Sequence, residues 1–111
     1  MKPIVDEGVS RRLVKALRAR GNDLSPFPNE WKGLKNGALL STIVEAGFDC
    51  IVTCDTSLQY QQNLSRRQIA VVVLPWTRFA DLSPLMTSIE QAILTAKTGS
   101  VRTVNRDGSI R

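Results

Sequence analysis

Histidine is missing from all 111 residues, and its absence removes the commonest general base, the Ser-His and Cys-His nucleophilic systems and nearly every structural zinc site. What remains is chemistry by carboxylate, hydroxyl, lysine or metal ion, or no chemistry at all. Cysteine is scarce too, with Cys50 and Cys54 the two in the chain. They fall in one segment with strand character, where ~3.3 Å per residue separates them by about 13 Å. A disulfide needs Cα atoms within about 7 Å, so both are expected to be reduced, buried apolar fillers, as in a reducing compartment. No apolar run reaches the roughly 18 residues of a membrane span, and no basic leader precedes an apolar stretch. Neither a membrane anchor nor a secretory signal is expected, and the expected location is the cytoplasm.

Acidic residues are outnumbered, 10 against 15 Lys and Arg, for a net charge of +5. Such a surplus favours a polyanionic partner. Arg11, Arg12, Lys15, Arg18 and Arg20 fall in one predicted helix, with Lys32, Lys35, Arg66 and Arg67 further along and Arg102, Arg106 and Arg111 near the end. For the first helix alone a solvated face accounts for the charge. The surplus over the acids makes nucleic acid the expected partner, with Arg11, Arg12, Lys32, Lys35 and Arg66 as candidate contacts.

What the chain does have is alternation. Pro3 to Asp6 reads as a strand, with proline tolerated at its first position. Val9 to Arg20 follows as a helix with Val9, Leu13, Ala16 and Leu17 inward, and Gly21 sits where a helix stops. Asn22 to Ser25 reads as a short second strand. A loop carrying Phe27 and Trp31 leads to a helix over Lys35 to Ala46, and Asp49 to Cys54 forms the next strand. Thr56 to Arg67 is polar, a loop with a short helix. Ile69 to Leu74 is continuous and β-branched, as in a strand buried on both faces. Ser83-Pro84 opens a long helix that Gly99 closes, and Ser100 to Val104 alternates like a last strand. The pattern predicts one α/β domain over residues 1–104, with about five strands in a mostly parallel sheet and four helices. Residues 105–111 read as a flexible tail.

Two acids close two of the predicted strands, Asp6 after Ile4-Val5 and Asp55 after Ile51-Val52-Thr53-Cys54. In an open α/β sheet ligands bind beyond the carboxyl ends of the strands. If the two strands are parallel neighbours, the carboxylates converge there and repel unless a divalent cation or a shared proton compensates them. Mg²⁺ or Mn²⁺ is the natural candidate. Each Asp can instead cap the segment that follows it. The amide-rich segment Gln59-Tyr60-Gln61-Gln62-Asn63 follows Asp55 at the same end of the sheet, so Gln62 and Asn63 join the candidate site, although a solvated loop has the same composition. Phe27 and Trp31 suit stacking on RNA bases or packing on the core.

The segments Ile4-Val5-Asp6-Glu7-Gly8, Arg18 to Leu24, Trp31 to Leu40 and Phe48 to Asp55, continued by Tyr60 to Leu64 and Ile69 to Leu74, resemble in order and spacing the PIN-like family of small bacterial proteins. These are often encoded as toxins beside an antitoxin and are related to the PIN ribonucleases. The resemblance implies a three-layer α/β/α sandwich and an acidic cluster that holds Mg²⁺ or Mn²⁺ to hydrolyse RNA. The partners it adds to RNA are a cognate antitoxin protein and a second copy of the chain. Asp6 matches the first-strand acid and Asp55 the acid after the Thr-x-Asp strand. Where the family commonly has further acids this chain has Asn36, Ala38 and Ser57, so the cluster is incomplete; Glu7 stands beside it as a possible supplement. A catalytically weak or inactive module that binds RNA or a partner protein is the alternative. A phospho-receiver-like domain also places acids after its first and third strands, but it needs a lysine after its last core strand, and here none follows Leu74 until Lys97.

Overall fold

The computed structural model describes residues 1–60 and 63–111. The apolar, β-branched segments Pro3–Val5 (β1), Cys50–Thr53 (β2) and Ala70–Val73 (β3) form strands in which every residue is buried, and Val101–Thr103 (β4) is a half-buried fourth. All pair in parallel in the order β1-β2-β3-β4, with Val5 opposite Val52, Val52 opposite Val72 and Val72 opposite Arg102. Parallel neighbours require crossover connections. The described residues supply them with the helices Arg11–Ala19 (α1), Asn36–Glu45 (α2), Leu64–Arg67 (α3), Phe79–Leu82 (α4) and Met86–Thr95 (α5).

Successive strand residues point to opposite faces, and the sheet accordingly feeds two cores. Val5, Val52 and Val72 pack with Leu13 and Leu17 of α1, Leu82 of α4 and Ile89 of α5. Ile4, Ile51, Val71 and Val73 pack with Leu39, Leu40 and Ile43 of α2 and Leu64 of α3. Helices therefore cover both faces, which explains why β2 and β3 carry no alternating polar residues. Leu17 and Ile89 are fully buried, and truncating either to alanine should cost about 2–5 kcal/mol. The Ser10 side chain caps α1 by accepting from the Arg12 amide, and Gly21 leaves the helix at φ +92°. That conformation is one glycine adopts without strain. Arg11, Arg12, Lys15 and Arg18 line the exposed side of α1.

Among the described residues the sheet has four strands rather than about five. At Asn22–Ser25 the pairing shrinks to one bridge between Ser25 and Ile4, because Asn22 is engaged elsewhere: its amide and its side chain both donate to the Leu17 carbonyl at the end of α1. The long helix expected from Ser83 begins instead at Met86 and ends at Thr95, short of Gly99. A 3-10 turn over Ser83–Leu85 carries Pro84 between α4 and α5, as expected where proline removes a backbone donor. Residues 105–111, read from the sequence as a flexible tail, are folded against the sheet. Thr103 and Arg111 exchange backbone hydrogen bonds at 3.2 and 2.8 Å, and Val104 pairs with Ile110 antiparallel.

Cys50 and Cys54 are both free thiols, Cys50 buried and Cys54 half-buried just past β2. Burial, aided by the Asp49 charge, pushes the Cys50 thiol up to about 12. Phe27, Trp31 and Phe48 pack edge to face, with centroids 6.2 and 6.4 Å apart, and lie against the core beneath α2. Of the two roles open to Phe27 and Trp31, the structure places them in packing. Among the described residues no helix is long and apolar enough to cross a membrane.

Candidate functional site

The parallel register of β1 and β2 decides where the acids go. Pairing of Val5 with Val52 sets the next residue of β1, Asp6, beside Thr53, and the Asp6 amide donates to the Val52 carbonyl at 2.8 Å. Thr53 is fully buried, the one buried polar residue among those described. Its hydroxyl donates to Asp6 Oδ2 at 2.7 Å and accepts from the Asp55 amide at 2.9 Å. A single hydroxyl thus fixes the Asp6 carboxylate and the backbone that carries Asp55. Asp6 Oδ1 accepts from the Glu7 amide at 2.8 Å. Asp55 Oδ1 accepts from both the amide and the hydroxyl of Ser57, at 2.9 and 2.7 Å, and so opens the 3-10 turn Thr56–Tyr60. This is the local Asp-to-backbone bonding that favours turns over regular structure.

Asp6 and Asp55 face one cavity of about 380 Å³, shared with Glu7, Leu34, Lys35, Asn36, Leu39, Ser57 and Leu58. Five expected residues, Asp6, Asp55, Glu7, Asn36 and Ser57, therefore come together, and Lys35 from the basic set joins them. Glu7 is drawn toward the loop before α2, where its Oε1 accepts from the Gly33 amide at 3.2 Å. Asn36 begins α2 at φ +49°, one residue past the cap position, which Lys35 holds without a side-chain hydrogen bond. Asparagine tolerates that left-handed conformation better than most residues. Ala38 is exposed and outside the lining. Asn63 stands at φ +65° at the start of α3 and does not line the cavity, and Gln62 lies outside the described residues.

The remaining basic candidates are dispersed. Arg11 and Lys32 line a small neighbouring cavity of about 150 Å³ that shares Glu7 with the acid site. Arg12 lies over the Phe79 ring, 4.8 Å from its centroid. Arg66 is exposed in the last turn of α3.

Burial and the Asp6 charge both raise the Cys54 thiol above its ordinary range, which favours the thiol over the nucleophilic thiolate. Among the described residues no group of three or more His, Cys, Asp or Glu side chains is placed to hold a metal. The donor set is two carboxylates, the Asn36 amide and the Ser57 hydroxyl. Such hard oxygen donors suit Mg²⁺ or Mn²⁺ in kind, and their low charge suits an ion that keeps most of its water. The sequence pattern did not single out Thr53 for a role of its own; the one signal was its place two residues before Asp55 at a strand end. No family model matches the chain, and comparisons with curated proteins and with solved structures give no match either.

Proposed function

We propose that the chain is a PIN-like RNA-binding module with slow, metal-dependent ribonuclease activity, its divalent ion held between Asp6 and Asp55. The observation that carries this reading is the Asp6–Thr53–Asp55 chain of hydrogen bonds at the carboxyl end of two parallel strands, opening on one cavity. A bound Mg²⁺ or Mn²⁺ would lower the pKa of a water and offset the charge developing on a phosphate. The protein's own share is positional. Thr53 orients Asp6, Ser57 fixes the Asp55 side chain, and Lys35 on the cavity wall offers a cation to the RNA backbone. The resemblance to the PIN-like family adds an antitoxin protein and a second copy of the chain as proposed partners, with the cytoplasm as proposed location.

The sparse acid set favours a second reading, a module that keeps the fold and binds RNA without cleaving it. The two separate in one assay, incubation of a mixed RNA pool with Mn²⁺ or with chelator. Slow cleavage in Mn²⁺ that is lost in Asp55→Asn supports the ribonuclease; binding without cleavage supports the module. Vigorous cleavage that survives Asp55→Asn contradicts the site.

A further inference from the structure

The folded C-terminal segment builds a second groove at the same end of the sheet. Its volume is about 600 Å³, and it lies between the ends of β2 and β3 and the turn that follows β4. Half-buried Pro75 and Cys54 supply apolar surface above the buried Val73, Leu74 and Val104; Thr56, Thr103, Asn105 and Ser109 supply hydroxyls and an amide. The turn is rigidly made. The Asn105 amide donates to the Ser109 carbonyl at 2.8 Å, Gly108 turns at φ +88°, and the Ser88 hydroxyl ties the Gly108 carbonyl to α5 at 2.6 Å. On the lip the Arg106 guanidinium lies over the Trp76 ring, 4.5 Å from its centroid, with Arg106 itself exposed. The salt bridge found among the described residues joins Arg20 to Glu90 and leaves Arg106 out. Asp107, the acid in the lining, is exposed, its Oδ1 accepting from the Ser109 amide and hydroxyl at 2.9 and 2.6 Å within the turn.

This groove adjoins the acid cavity. Cys54 and Thr56 line it while Asp55 and Ser57 line the other, so the two sites lie on either side of one turn of chain. We propose that the groove is a nucleoside subsite for single-stranded RNA: one base stacks on the outer face of Arg106, and the ribose meets the hydroxyls of Thr56 and Thr103. Single-stranded RNA is recognised by stacking of unpaired bases on aromatic side chains and guanidinium planes, and Trp76 already backs the Arg106 guanidinium before any base arrives. A groove whose acid and base are equal in number, with an apolar floor, suits the nucleoside half of a nucleotide better than a bare phosphate. The inference rests on the RNA-binding reading above, and it assigns to the C-terminal turn the work of holding the nucleotide next to the one at Asp55.

The test uses a Trp31→Phe background, which leaves Trp76 as the sole indole, with EDTA present so that catalysis plays no part. A fluorescein-labelled, mixed-base RNA ten-mer reports total binding by anisotropy in titrations at fixed salt, and an unlabelled one reports the groove through Trp76 emission. Saturable change in Trp76 emission is expected, with about a tenfold rise in Kd for Arg106→Ala, the scale of one lost stacking contact. Thr103→Val should weaken binding by a smaller factor, and inorganic phosphate should not compete. Anisotropy binding without a Trp76 response, or with Arg106→Ala unchanged, overturns the subsite and leaves the ribonuclease reading standing. Absence of binding by both readouts overturns the subsite and the RNA-binding reading together.

Discussion

Thr53 and Asp6, 47 residues apart in sequence, are joined by a hydrogen bond of 2.7 Å from the buried hydroxyl to the carboxylate. The bond exists because β1 and β2 run parallel in register, and it makes the acid site a product of sheet pairing rather than of loop conformation. A buried polar group is costly to leave unpaired, so this single hydroxyl couples the stability of the sheet end to the order of the site.

Replacing Thr53 with valine keeps the shape and removes the hydroxyl, leaving Asp6 Oδ2 and the Asp55 amide each short of a partner. Stability should fall by about 1–3 kcal/mol, read as a lower urea midpoint with an unchanged slope. Thr53→Ser should recover most of the loss. A valine variant as stable as the parent contradicts the bridging role.

Charge at Asn36 should matter where charge at Ala38 does not, since Asn36 lines the acid cavity and Ala38 is outside it. Asn36→Asp is expected to tighten Mn²⁺ binding about tenfold, the scale of one added charge near a divalent ion in partly screened surroundings. Ala38→Glu should leave the affinity within about twofold on the same reasoning. Calorimetric titration of the two variants with Mn²⁺ decides between them, and equal gains would mean that the start of α2 is misplaced.

Acid stability should depend on Glu90. Its carboxylate accepts from Arg20 Nε at 2.7 Å and from the Asn22 side chain at 2.8 Å, and these hydrogen bonds, with the Arg20 charge, hold it below the usual glutamate range. A depressed folded-state pKa stabilises the protein above the unfolded value and loses that contribution as pH falls through the folded one. The melting temperature should therefore drop more between pH 5 and pH 3 in the parent than in Glu90→Gln, which keeps an acceptor but does not titrate. Parallel acid limbs would contradict the assignment.

How much of this was legible in the sequence varies by element. The strands β1, β2 and β3 were readable because a parallel sheet covered on both faces demands continuous β-branched apolar segments, and Ile69 to Leu74 shows one. The Asn22–Ser25 strand was not, since a side chain with the option of closing a helix, as Asn22 does on the Leu17 carbonyl, leaves no local mark of that choice. The tail was misread although Asp107-Gly108 is a known turn signal; the strand partner it needed, Val104 with Ile110, is too short for alternation to reveal. Asp6 and Asp55 were legible as strand-end acids. Thr53 was not, because only the register of two strands distant in sequence turns a buried threonine into a bridge.

The most direct test of the account is Mn²⁺ binding by the parent, Asp6→Asn, Asp55→Asn and the double variant, followed by electron paramagnetic resonance of free Mn²⁺. Asp55→Asn is a clean probe, because the oxygen that accepts from Ser57 is retained and the turn should persist. One ion bound with millimolar affinity is expected for the parent, as suits two carboxylates and a largely hydrated ion. Each single variant should lose it, and the double variant should be no weaker than either. Undiminished binding in both single variants, or losses that simply add, would contradict a site shared by Asp6 and Asp55.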